Sequence, residues 1–251
     1  MTELTSRDVP YQIGQARLLG RLVAPADVAT SRPAILIVHD AFGRSPAMID
    51  AAERLARLGL VAFAADVWGD AYVPADGREV GSLLGSMISA RREWERRIDA
   101  AVEVLASQPE VDPDRLGAMG FCFGGSSVLE LARRGGPVQG VISIHGGLDL
   151  LLPDWSSAHP ARVLVCTGSA DPLATAEQRQ QLQDDLDGQG LSWEVDLYGG
   201  AKHGFTSPGS DHAGDPDRFG YDPDAAARAW AATERFLTDL FLSASTPSNR
   251  G

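Results

Sequence analysis

Short apolar runs, each too brief for a helix and each closed by a polar or glycine-rich turn, constrain this chain more than any other feature. They are residues 34–38 (AILIV), 60–65 (LVAFAA), 115–119 (RLGAM), 138–144 (VQGVISI) and 162–167 (RVLVCT). Continuous rather than alternating apolarity means that both faces of such a strand are buried. Segments of helical period lie between them. Residues 46–58 put Met48, Ala52, Leu55 and Ala56 on one face, and residues 91–107 put Trp94, Ile98, Ala101, Val102 and Leu105 on one stripe. Strands alternating with helices predict an α/β fold, a mostly parallel, doubly wound sheet covered on both sides. Later in the chain, 174–187 reads as a helix, 191–198 as a strand and 223–241 as a final amphipathic helix. Alternation in 9–13 and 16–23 about Gly14-Gln15 predicts an antiparallel hairpin at one sheet edge. Residues 76–90 read as a short helical insertion or lid, 25–33 as a surface connection and 199–222 as a long polar loop. The expected organisation is one domain over 1–242 and a disordered tail over 243–251.

Composition excludes several classes of function. A chain of 251 residues with 44% hydrophobic and 22% charged residues can bury a full core. Its net charge of −12 argues against nucleic acid, because phosphate binding needs a concentrated basic surface. Two cysteines, Cys122 and Cys166, make no disulfide framework, and no His/Cys spacing suggests zinc or another metal. The first ten residues lack the apolar run of a secretion signal, and no stretch is long enough for a membrane span. The expectation is a cytoplasmic protein with a free thiol, no cofactor and no membrane partner.

The residues that bear chemistry fall just after the apolar runs, where parallel sheets place their ligands. Gly120-Phe121-Cys122-Phe123-Gly124-Gly125 follows one run and precedes a helical segment. Glycines flanking one reactive residue on a strand-to-helix turn make a nucleophile elbow, here with a thiol. The helix beginning near Phe123 would aim its free N–H groups and positive dipole end at Cys122, a field that favours thiolate. Asp171 lies four residues beyond Thr167, and His203 lies in the glycine-flanked loop after the last strand. Nucleophile, acid, histidine is the chain order this elbow architecture uses. His203 would serve as general base and then protonate the leaving oxygen, while Asp171 fixes its tautomer. Phe123 N–H, with an N–H of Ala41 or Phe42, would bind the oxyanion. His145 and Cys166 read as a satisfied strand-end histidine and a core thiol; His159 and His212 have no motif around them.

Together with His39-Asp40-Ala41-Phe42-Gly43, Gly168-Ser169-Ala170-Asp171-Pro172 and Tyr198 to Phe205, the elbow resembles the dienelactone hydrolase family of the α/β-hydrolase fold, over about residues 10–242. The resemblance implies a carboxylic ester hydrolase with a Cys122-Asp171-His203 triad that acts on an enol-lactone. In that family a glutamate usually ends the first central strand and helps to activate the thiol; Asp40 holds that position and is one methylene shorter. The enzyme that gives the family its name carries an arginine for the substrate carboxylate shortly after the histidine. This chain has Thr206 and Ser207 there instead. Arg78, Arg91 or Arg92 could supply a cation from the insertion, and Phe42, Trp68, Tyr72 and Phe205 would line a more apolar pocket.

Two other classes of function stay open on the sequence alone. A thiol-based redox or electrophile-responsive protein would need a second cysteine to resolve the first, and only Cys166 is available. A non-catalytic binding module on the same fold would show itself by a degenerate triad. The oligomeric state and the physiological substrate are not legible in the sequence.

Overall fold

The computed structural model describes residues 2–27, 30–158, 161–212 and 214–243. Its centre is one eight-stranded sheet of order β1-β2-β4-β3-β5-β6-β7-β8, in which β1 is Leu4–Ile13, β2 Ala16–Pro25, β3 Arg32–Val38 and β4 Val61–Ala64. The second half comprises β5 (Val111–Phe121), β6 (Gly140–Ile144), β7 (Arg162–Gly168) and β8 (Trp193–Tyr198). All neighbouring pairs from β4 to β8 are parallel, while β2 runs antiparallel to both β1 and β4. The expected edge hairpin and parallel core are therefore both present.

Among the described residues, six α-helices cover the sheet. On one face, α1 (Pro46–Arg57) and α6 (Pro223–Leu237) press Met48, Ala52 and Leu55, and Ala229 and Phe236, against β-strand residues such as Ile35, Ile37 and Ile142. On the other lie α2 (Gly77–Ser89), α3 (Arg91–Ala106), α4 (Phe123–Arg133) and α5 (Ala176–Gly188). Trp94, Ile98, Leu131 and Leu182 from these helices meet Leu36, Phe63 and Val141 of the sheet. Each such side chain removed from water contributes roughly 2 kcal/mol. The insertion between β4 and α3 is α2, capped by the Asp76 carboxylate accepting from Arg78 and Glu79 N–H and packed down through Met87.

Several boundaries depart from the sequence reading for physical reasons. β1 starts at Leu4, five residues early, because an edge strand wet on most of its length needs no apolar alternation; only Val9 is buried in it. β5 begins at Val111, four residues ahead of the apolar run at 115–119, and runs through Asp112-Pro113. The ladder to β3 jumps from Val111 to Leu116, so Pro113 sits in an irregularity where no ladder N–H is required. α6 stops at Leu237 and continues as a π-helical turn, Thr238–Leu242. A 3-10 turn, Leu148–Leu150, follows β6, and another, Pro208–His212, lies within the long loop after β8. The tail, beyond Ser243, and His159 lie outside the described residues.

Candidate active site

Cys122 stands between β5 and α4 at φ 51° and ψ −115°, a conformation that a β-carbon makes costly, by about 1–3 kcal/mol. Its surroundings hold it there. The Cys122 N–H is shared between Ile144 O at 3.0 Å and His145 Nδ1 at 3.1 Å, and its carbonyl accepts from Ser126 N–H at 3.2 Å. The flanking glycines are required by close approach: a β-carbon on Gly120 would come within 2.0 Å of Gly124 O, and one on Gly124 within 2.1 Å of Val38 O. The elbow thus packs backbone on backbone, with the N-terminus of α4 directly behind the sulfur.

The loop after β8 brings His203 Nε2 to 3.0 Å from Cys122 Sγ, and Asp171, after β7, places Oδ2 2.9 Å from His203 Nδ1. Both residues are buried. Asp171 Oδ1 accepts the Leu173 N–H at 2.9 Å, which fixes the carboxylate plane. His203 is pinned through its backbone, donating to Arg218 O and accepting from Gly220 N–H, with the Phe219 ring edge-on to the imidazole. Burial alone would lower the His203 pKa. The charge on Cys122 and the hydrogen bonds to Asp171 and Cys122 outweigh it and push the imidazole up to about 10. A protonated ring therefore suits this position at neutral pH.

Asp40 follows β3, close enough to the triad for the charge on His203 to act on its carboxyl. Oδ1 accepts the Phe42 N–H at 2.8 Å, and among the described residues Asp40 makes no hydrogen bond to Cys122. Burial pushes its carboxyl up to about 6, opposed by the Phe42 N–H and by the charge on His203. The Phe42 amide is accordingly engaged, whereas the Ala41 and Phe123 amides have no partner among the described hydrogen bonds. Trp68 is largely buried: it stacks on Phe123, and its Nε1–H donates to Ala41 O at 3.2 Å, bracing the loop after β3. His39 braces the same loop from below, accepting the Val67 N–H on Nε2, and burial holds its pKa down at about 4.

The pattern that defines the dienelactone hydrolase family matches residues 18–241. The chain belongs to the dienelactone hydrolase family. A Bradyrhizobium protein named as a probable 2-oxo-3-(5-oxofuran-2-ylidene)propanoate lactonase is 28% identical, over 89% of this chain and 90% of its own. A Synechocystis protein with the provisional name carboxymethylenebutenolidase is 25% identical, over 89% and 93%. Among solved structures, a dienelactone hydrolase-like promiscuous phosphotriesterase from metagenomic libraries is 37% identical, with a TM-score of 0.89 over 95% of this chain and 99% of its own. As a dienelactone hydrolase family member the chain is a hydrolase of ester or lactone bonds.

Other expectations for this dienelactone hydrolase family chain are corrected by packing. Phe205 is fully buried against Tyr198 and His145 and offers a substrate no surface, since its side chain faces the α1/α6 side of the sheet. Arg91 is no free cation: it pairs with Glu130 at 2.6 Å, donates to Leu150 O at 2.9 Å and lies over the Trp94 ring. Arg92 borders a surface depression with Glu95, Arg96, Asp99 and Arg134. Phe42 and Tyr72 do reach solvent, at 49% and 44% exposure. The Tyr72 hydroxyl donates to Glu79 of α2 at 2.7 Å.

A cleft of about 220 Å³ that the sequence did not disclose opens between α1, α6 and the segment after His203, lined by Met48, Asp50, Arg54, Thr206, Ser207 and Trp230 among others. Arg54 lies 4.3 Å from the Trp230 ring centre, with its Nε 2.7 Å from Glu234. In the sequence Arg54 is one more charge on an amphipathic helix, and nothing in its spacing links it to Thr206. Cys166, the second thiol, faces the α1/α6 side while Cys122 packs on the other, and burial pushes the Cys166 thiol up to about 12. Among the described residues no His, Cys, Asp and Glu cluster could hold a metal ion, and no helix is long and apolar enough to cross a membrane.

Proposed function

We propose that this chain cleaves lactones or small activated carboxylic esters through an acyl-enzyme on Cys122. The observation that carries the reading is the unbroken contact from Asp171 through His203 to Cys122, at 2.9 Å and 3.0 Å. Cys122 Sγ, as thiolate, adds to the carbonyl carbon, and the carbonyl electron pair moves to oxygen. The Phe123 and Ala41 amides receive that oxyanion; one such donor is typically worth about 10²–10³ in rate. Collapse expels the alcohol oxygen, which takes the proton from His203. Neutral His203 then removes a proton from water, hydroxide adds to the thioester, and a second collapse returns the Cys122 thiolate and the imidazolium. Asp171 keeps Nδ1 protonated throughout. Phe42 and Tyr72 would meet the apolar part of a small-molecule substrate.

Intact-mass analysis after mixing with a slow aryl ester tests this reading. One acyl adduct on the Cys122 peptide, absent from Cys122→Ala, is expected; an adduct on Cys166, or full turnover by Cys122→Ala, overturns it. A second reading adds neutral phosphate triesters as substrates, favoured by the 37% identity to the structure named as a promiscuous phosphotriesterase. Thr206 and Ser207, where the family's name-giving enzyme has arginine, fit an uncharged ligand. Including a triester such as paraoxon beside dienelactones and aryl esters separates the two readings. A redox role for Cys122 has no support in the burial of Cys166 on the opposite face.

A further inference from the structure

His145 takes no part in the chemistry above, yet it touches the nucleophile's backbone. Its ring is 1% exposed, and its φ of 38° puts a non-glycine residue in the left-handed region. The backbone N–H is tied to Cys166 O at 2.8 Å. On the side chain, Nδ1 lies 3.1 Å from the Cys122 amide nitrogen and Nε2 lies 2.8 Å from Thr206 Oγ1.

A backbone amide can only donate, so Nδ1 must present its lone pair and the ring proton must sit on Nε2, with Thr206 Oγ1 as acceptor. A doubly protonated ring would set N–H against N–H at Cys122. Burial drives the ring toward the neutral form, and the charge of His203, with ring centres 5.3 Å apart, pushes the same way. The tautomer is thus selected by what stands on either side. Cys122 is strained, and a strained backbone persists only while its neighbours over-determine it. The Cys122 amide has two acceptors, Ile144 O and His145 Nδ1. Thr206 lies three residues beyond His203, so the path from the Cys122 N–H through His145 to Thr206 joins the elbow to the histidine loop, alongside the direct contact of Nε2 with Sγ.

We propose that His145 is a positioning residue that clasps the Cys122 amide and, through Thr206, holds the elbow in register with the loop that carries His203. It touches neither substrate nor the reacting atoms. The proposal rests on Cys122 being the nucleophile.

The test compares Thr206→Val, Thr206→Ser, His145→Asn and His145→Leu for kcat, KM, the rate of Cys122 alkylation by iodoacetamide, and thermal midpoint. Valine keeps the shape of Thr206 and removes the acceptor. Thr206→Val should lose about 10-fold in kcat and several-fold in alkylation rate with KM within about 2-fold, since a small misplacement of reacting groups is costly. Thr206→Ser should restore both. Asn tolerates positive φ and offers Oδ1 near the place of Nδ1, so His145→Asn should retain more kcat than His145→Leu. Wild-type kcat and alkylation in folded Thr206→Val overturn the proposal. So does a change confined to KM, which would assign Thr206 to the cleft alone, or a Thr206→Ser variant no better than Thr206→Val. If His145→Leu fails to fold, the Thr206 pair decides, because it leaves His145 in place. Full activity in Cys122→Ala is a separate failure, of the nucleophile itself, and no Thr206 result can imitate it.

Discussion

The Asp40 carboxylate accepts the Phe42 N–H at 2.8 Å, so the side chain expected to assist the thiol occupies one of the amides expected to face the oxyanion. An aspartate at the end of β3 is short enough to curl onto the amide two residues ahead, as Asx turns do.

Asp40 makes the folded protein sensitive to pH. Burial raises its carboxyl from 3.8 to about 6, so the folded state binds the proton more tightly than the unfolded one. Stability from this group is then highest below pH 4 and falls as pH rises through 6, by about 3 kcal/mol at most. Asp40→Asn keeps an acceptor for the Phe42 N–H and removes the charge. Urea unfolding at pH 4 and pH 7 should find the variant gaining on wild type as pH rises. Equal differences at both pH values would mean that Asp40 titrates as an ordinary exposed carboxyl.

Cys122 and His203 should behave as a unit. Cys122→Ala and His203→Ala should each lose most of kcat, about 10³-fold or more, and the double variant should lose little beyond the worse single. Steady-state kinetics on one aryl ester suffice. Additive losses would place one of the two in a different step.

Substrate charge is the third expectation. Arg54 shares a cleft with Thr206 and Ser207, but Glu234 already neutralises it and Trp230 covers one face. The ratio of kcat/KM for a dienelactone acid over its methyl ester should therefore stay below about 100-fold, or roughly 2.7 kcal/mol. A larger preference that vanishes in Arg54→Ala would mean that Arg54 exchanges Glu234 for the ligand.

Glu130 supplies a stability test away from the chemistry. Buried on α4, it pairs with Arg133 and Arg91 and accepts the Leu152 N–H, tying α3 and the loop after β6 to the elbow helix. Glu130→Ala leaves buried guanidinium charge uncompensated and should cost about 3–5 kcal/mol in denaturant unfolding. A loss under about 1 kcal/mol would show that Arg91 and Arg133 find water instead.

The sequence by itself determined the mostly parallel core of the sheet, the elbow at Gly120 to Gly125, and the placing of Asp171 and His203 just past strand ends. Each of these rests on local physics: apolar runs without alternation, glycines where backbones meet, and polar residues just past a strand. It could not assign Phe205, since an aromatic beside a catalytic-looking histidine reads the same whether its side chain points to solvent or to the core. Arg91 likewise read as a cation available to a substrate, because nothing in its spacing shows that α4 brings Glu130 beside it. The start of β1, the convergence of Arg54 with Thr206, and the clasp of His145 on the Cys122 amide join residues far apart in the chain. Only tertiary structure decided these, because a hydrogen bond between loops of different strands depends on where the backbones end, and local spacing carries no record of that.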